Sequence, residues 1–111
     1  MQERRRVPRS MVSVPAAIYD DRDRQLLNAR TIDLSAFGAL LHGGTSVLPG
    51  DRVQFEVSRG QARNPLRLTA EVVRVTTPDA SRRQHSIALR FCDVSELDAA
   101  ILKAIIAEHR A

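Results

Sequence analysis

The sequence predicts an all-β domain, a six-stranded antiparallel β-barrel closed by a C-terminal α-helix. Three observations predict it. Apolar residues recur at every second position in six short blocks, the period of strands with one buried face. Clusters of Gly, Pro, Asp and Ser punctuate the blocks. The end of the chain then changes to the period of an amphipathic helix. Closing the sheet removes the exposed edges that invite aggregation. At 111 residues and 43% hydrophobic, the chain is sized for a single core.

The first block sets Val12, Val14, Ala16 and Ile18 in one phase and stops at Asp20-Asp21-Arg22-Asp23. A second runs from Leu26 and Leu27 to Ile32 and Leu34, and a third holds Phe37, Ala39 and Leu41. Beyond Gly43-Gly44 and Pro49-Gly50-Asp51, Val53, Phe55 and Val57 alternate with Arg52, Gln54, Glu56 and Ser58. After Ser58-Arg59-Gly60, the fifth block alternates Leu66, Leu68, Ala70 and Val72 with Arg67, Thr69 and Glu71. Its phase then slips, because Val72, Val73 and Val75 place two apolar residues side by side, as a β-bulge does. Past Pro78-Asp79, the sixth block holds His85, Ile87, Leu89 and Phe91. Leu97, Ala100, Ile101, Ala104 and Ile105 trace one face of a helix spanning about 95–109. Ser95 is its N-cap, and Glu96 and Asp98 suit the positive end of its dipole.

Composition excludes several classes. No run is long and apolar enough to span a membrane, and the basic start lacks the apolar core of a signal peptide, so a cytoplasmic protein is expected. Cys92 is the single cysteine, read as a small core residue; His42, His85 and His109 show no ligand spacing. No metal site is expected. Neither is an enzyme, since no nucleophile–base set or acid–base pair stands out. All three Phe fall on apolar phases, which leaves Tyr19 as the only exposed platform for stacking bases. That argues against a general nucleic-acid-binding barrel, and no DNA partner is expected.

Lys and Arg number 17 against 13 Asp and Glu, and all of the 17 but Lys103 are Arg. Arg presents a planar fork of donors suited to phosphates, carboxylates and guanine edges. Arg52, Arg67 and Arg74, on outward phases of strands, are read as compositional. A basic arm over residues 1–11 concentrates Arg4, Arg5, Arg6 and Arg9 against Glu3, ahead of a barrel over 12–111. Pro8 holds Val7 out of the helical region, so the arm is extended. The second motif is Asp33-Leu34-Ser35-Ala36-Phe37-Gly38, between the second and third blocks. Asp33 and Ser35 share a face; a carboxylate there matches the N1-H and N2-H donors of guanine, and a hydroxyl can donate to phosphate. Gly38 permits a turn or a close backbone approach. The same residues equally serve a strand-end turn.

The two motifs together resemble the PilZ domain, a bacterial receptor module for cyclic di-GMP. Arg5 and Arg9 match its RxxxR motif, and Asp33, Ser35 and Gly38 its (D/N)xSxxG motif. The resemblance extends to Glu3-Arg4, the first strand, Gly50 and the closing helix, and its family fold is a six-stranded barrel with a C-terminal helix. It implies a non-enzymatic sensor in which cyclic di-GMP is a ligand rather than a cofactor. Arg5 and Arg9 would clamp phosphates and guanine O6 and N7, and Asp33 would read the Watson–Crick edge. Ser35 would bond phosphate or backbone, and Gly38 would keep the strand start clear of the ligand. Arg4, just before the first motif Arg, goes in this family with an intercalated ligand dimer, so two ligands per site are expected. The arm would fold over the barrel on binding and signal to an unidentified effector protein. A PilZ-like structural adaptor that binds no nucleotide is the other family reading, and such members usually lack the Arg motif.

Overall fold

A computed structural model describes residues 11–60, 64–79 and 84–109. Six strands, β1 (Pro15–Tyr19), β2 (Gln25–Leu34), β3 (Gly38–His42), β4 (Arg52–Val57), β5 (Leu66–Thr76) and β6 (Ser86–Phe91), precede one helix, α1 (Glu96–His109). They form a closed antiparallel barrel in the order β1-β2-β3-β6-β5-β4. The β1–β4 pairing, Ala16 opposite Val57 to Tyr19 opposite Gln54, closes the ring. The predicted fold class is the observed one.

Alternation explains the core. Ile18, Phe55, Val57, Val72 and Ile87 are wholly buried inside the barrel, and the Phe55 and Phe91 rings lie 5.4 Å apart, tilted by 31°. Burying apolar surface at about 25 cal/mol per Å² is the main favourable contribution. Val12 and Val14 belong to this core, yet they precede β1 rather than forming part of it. Cys92 is half-buried just beyond β6, not a core residue, and its N–H donates to the Thr69 carbonyl at 2.8 Å.

The helix starts as its sequence signals. The Asp98 N–H donates to Ser95 Oγ at 3.1 Å, which satisfies one of the unpaired donors of the first turn. It turns a different face inward than predicted, however. Leu102, Ile105 and Ile106 are buried, whereas Leu97 is 70% exposed and Ala100 and Ala104 are exposed. Two apolar stripes overlap on this helix and share Ile105. The barrel takes the one made of branched side chains, which removes more apolar area from water than alanines do.

Candidate functional site

The site is built where the chain enters the barrel. Thr31, the one buried polar residue among those described, stitches the entering segment to β2. The Val14 N–H donates to Thr31 Oγ1 at 3.0 Å, the Thr31 N–H donates to the Val14 carbonyl at 2.9 Å, and the Thr31 hydroxyl donates to the Val12 carbonyl. Outside the barrel, Arg30 donates to the Ser13 carbonyl at 2.9 Å and to Ser13 Oγ at 3.0 Å. Residues 12–14 are thereby fixed two residues from Asp33. Thr31 and Arg30 were not anticipated from sequence. A Thr in the β2 pattern carries no signal for this role until the entering segment is placed beside it.

Asp33 owes its direction to a bulge. The β2–β3 register pairs Thr31 with Leu41 and Asp33 with Leu40, leaving Ile32 as the extra residue. Strict alternation from buried Thr31 would turn Asp33 inward. The bulge turns it out and returns Leu34 to the core, where it is 2% exposed.

Ser35 organises the tight β2–β3 turn. Its N–H donates to the Gly38 carbonyl at 2.9 Å, and its Oγ accepts the N–H groups of Phe37 and Gly38 at 3.1 and 3.3 Å. The hydroxyl also lies 3.4 Å from the Gly38 carbonyl, its internal acceptor. The turn chemistry read from sequence is therefore present, and the hydroxyl hydrogen is held only by that long contact. At Gly38 the close backbone approach is realised: a Cβ there would lie 2.1 Å from the Leu89 carbonyl oxygen of β6.

These residues share a cleft of about 190 Å³ whose walls include Asp33, Ser35, Gly38, Leu40, Ala88 and Arg74. Arg74, which the sequence reading takes as compositional, also lines this cleft. Arg67, read likewise, is held in place: its guanidinium lies 4.3 Å over the Tyr19 ring and pairs with Asp23 at 2.5 Å and Glu56 at 3.3 Å. A bond to the Asp23 carboxylate and the nearby acids outweigh desolvation and raise the Arg67 pKa above its ordinary value.

The aromatic assignments change as well. Arg67 covers Tyr19, and the single hydroxyl hydrogen of Tyr19 is shared between Gln25 Oε1 and Glu56 Oε1, each 3.2 Å away. Phe37, placed by its phase in the core, is instead 80% exposed at the tip of the β2–β3 turn. A tight turn between Ser35 and Gly38 cannot bury its outermost residue. Among the described residues, a single free ring offers no series of platforms for successive bases. Arg4, Arg5 and Arg9 lie outside the described residues. Among those described, no three His, Cys, Asp or Glu side chains gather as metal ligands, and no helix is long and apolar enough to cross a membrane.

The model of the PilZ domain family matches residues 3–108. The chain belongs to the PilZ domain family. Solved structures agree in fold. The PilZ domain of YcgR from Escherichia coli with c-di-GMP is 21% identical, with a TM-score of 0.72 over 96% of this chain and 92% of that one. The Bacillus subtilis inhibitor of motility, MotI/DgrA, is 17% identical with a TM-score of 0.70, over 96% of this chain and 51% of that one. YcgR from Escherichia coli in complex with c-di-GMP is 24% identical with a TM-score of 0.68, over 96% and 46%. This PilZ chain thus spans about half the length of the last two. A search of curated proteins returns no match.

Proposed function

We propose that this PilZ domain is a non-enzymatic cytoplasmic receptor for cyclic di-GMP, whose arm over residues 1–11 closes across the Asp33–Ser35–Gly38 cleft of the barrel over 12–111 and signals to an effector protein. The observation that carries the reading is the Thr31 stitch. It holds Val12 beside the strand end bearing Asp33, and Arg9 is only three residues upstream, a reach of roughly 10 Å in extended chain. Both halves of the motif pair can therefore act on one ligand. Family membership and the c-di-GMP carried by the YcgR PilZ domain support the choice of ligand.

In this reading Arg5 and Arg9 are forks on phosphates and guanine acceptors, and Asp33 accepts from guanine N1-H and N2-H. The Ser35 hydroxyl gives up its long contact with the Gly38 carbonyl to donate to phosphate. Arg4 favours two stacked ligands per site. A micromolar complex requires about 8 kcal/mol, and hydrogen bonds to charged groups contribute roughly 1.5–3 kcal/mol each. Ordering an arm costs on the order of 1 kcal/mol per residue, so stacking at about 1–3 kcal/mol per base must supplement the phosphate contacts.

Calorimetric titration with cyclic di-GMP tests this. The wild-type chain should bind with micromolar or tighter affinity and two ligands per chain, and Arg5→Ala should abolish the heat. No heat at tens of micromolar protein would overturn the reading. Amide exchange tests the arm separately: equal protection of residues 1–11 with and without ligand would remove the switch while leaving the receptor.

A further inference from the structure

We infer that Arg74 is a ligand-contacting residue of this site, a guanidinium fork on the O6/N7 edge of the guanine whose Watson–Crick edge meets Asp33. The inference rests on the cyclic di-GMP reading and extends it to a residue outside both sequence motifs.

Register places Arg74 there. Asp33 pairs with Leu40, Leu40 with Ala88, and Ala88 with Arg74, so the four residues form one transverse row across β2, β3, β6 and β5. Directly opposed residues share a face, and this row lies on the outside of the barrel. A carboxylate stands at one end and a guanidinium at the other. Between them Leu40 and Ala88 make a low apolar floor for a base. Three inter-strand steps of about 4.8 Å separate the end residues by roughly 14 Å between Cα atoms. A side chain of Arg length leaning inward shortens that gap to what one purine, hydrogen-bonded at both edges, can fill.

A second bulge aims Arg74. The β5–β6 register pairs Val72 with Leu89 and Arg74 with Ala88, leaving Val73 unpaired and 44% exposed. Alternation from buried Val72 would direct Arg74 into the core, and the bulge reverses it. Both ends of the row are therefore turned outward by an extra residue in the strand, a device that recurs beside functional sites.

Charge pairing separates Arg74 from its neighbours. Arg90, one row away opposite Gly38, is paired with Glu71. Arg67 is paired with Asp23 and Glu56. Among the described residues, no carboxylate pairs with Arg74. An unneutralised fork facing an apolar floor suits the two acceptors that guanine presents at O6 and N7. Adenine replaces O6 with a donor and is rejected there.

Calorimetry with cyclic di-GMP on the wild type, Arg74→Ala and Arg74→Lys decides the matter, with thermal melting as a control and cyclic di-AMP as competitor. Arg74→Ala should weaken binding about tenfold or more at an unchanged Tm, and cyclic di-AMP should compete better against it than against the wild type. Arg74→Lys should not restore the affinity, because an ammonium cannot span O6 and N7 as a fork. Wild-type affinity in Arg74→Ala would overturn the inference and leave the receptor reading standing. Full rescue by Lys would reduce Arg74 to a diffuse positive charge and overturn the base contact. Failure of the wild type itself to bind would remove the receptor reading, and this inference with it.

Discussion

A Cβ on Gly38 would stand 2.1 Å from the carbonyl oxygen of Leu89, well inside any tolerated contact. The third position of the second motif is therefore required by the barrel's own β3–β6 seam, whatever it does for a ligand. Gly38→Ala must push β3 off β6, an overpacking cost of roughly 1–3 kcal/mol or more. We expect a Tm lower by on the order of 10 °C in the absence of any nucleotide. A ligand-free melt equal to wild type would show that the seam yields freely.

Thr31 is the second place where stability and site coincide. Thr31→Val keeps the shape but leaves the buried Val14 N–H and the Val12 carbonyl without their side-chain partner. An unsatisfied buried group costs about 1–3 kcal/mol. The variant should melt roughly 5 °C or more below wild type and bind cyclic di-GMP more weakly, because the root of the arm is loosened. Thr31→Ser, which retains the hydroxyl, should recover much of the ligand affinity; failure to do so would separate the stitch from binding.

Arg9 tests fork against charge. Arg9→Lys keeps the positive charge but loses the bidentate, stacking plane. Its affinity for cyclic di-GMP should fall nearly as far as that of Arg9→Ala. A Lys variant within a factor of two of wild type by calorimetry would mean that phosphate charge alone is recognised.

The β1–β2 turn carries a pH dependence. The Arg24 N–H, at 2.8 Å from Asp20 Oδ1, is the main cause that holds the Asp20 carboxyl below its ordinary value; the Arg22 N–H and the Arg24 guanidinium assist, against partial desolvation. A depressed folded pKa means that the contribution is complete above about pH 4 and is lost as pH falls through the folded value. The Arg22 and Arg24 amide resonances should hold constant down to about pH 4 and shift below it. Titration of those amides at the ordinary carboxylate pKa would contradict this.

Much of this protein was legible in its residues. Period-two alternation located the six strands, because an inward side chain at every second position is what a half-buried sheet requires, and Ser95 marked the start of α1. The doubled valines at Val72 and Val73 even announced a bulge. Asp33, Ser35 and Gly38 were named from spacing and family resemblance, and they do line one cleft.

What alternation could not supply was cross-strand register. Periodicity is a property of one strand, whereas a shared face across four strands depends on how each pairs with its neighbour. The Ile32 bulge, which directs Asp33, left no mark in the pattern, and the Val73 slip, with Arg74 on an outward phase, was visible without the row that sets Arg74 on the same face as Asp33. The exposure of Phe37 and the inward face of α1 belong to the same class, since a tight turn and two overlapping apolar stripes are resolved only by what packs against them. The sequence by itself determined the barrel, the helix and the motif residues, because local patterns encode which side chains must leave water. Tertiary structure alone decided that Thr31 anchors the entering chain and that Arg74 faces Asp33 across the cleft, because both relationships join residues whose proximity exists only once the strands have paired.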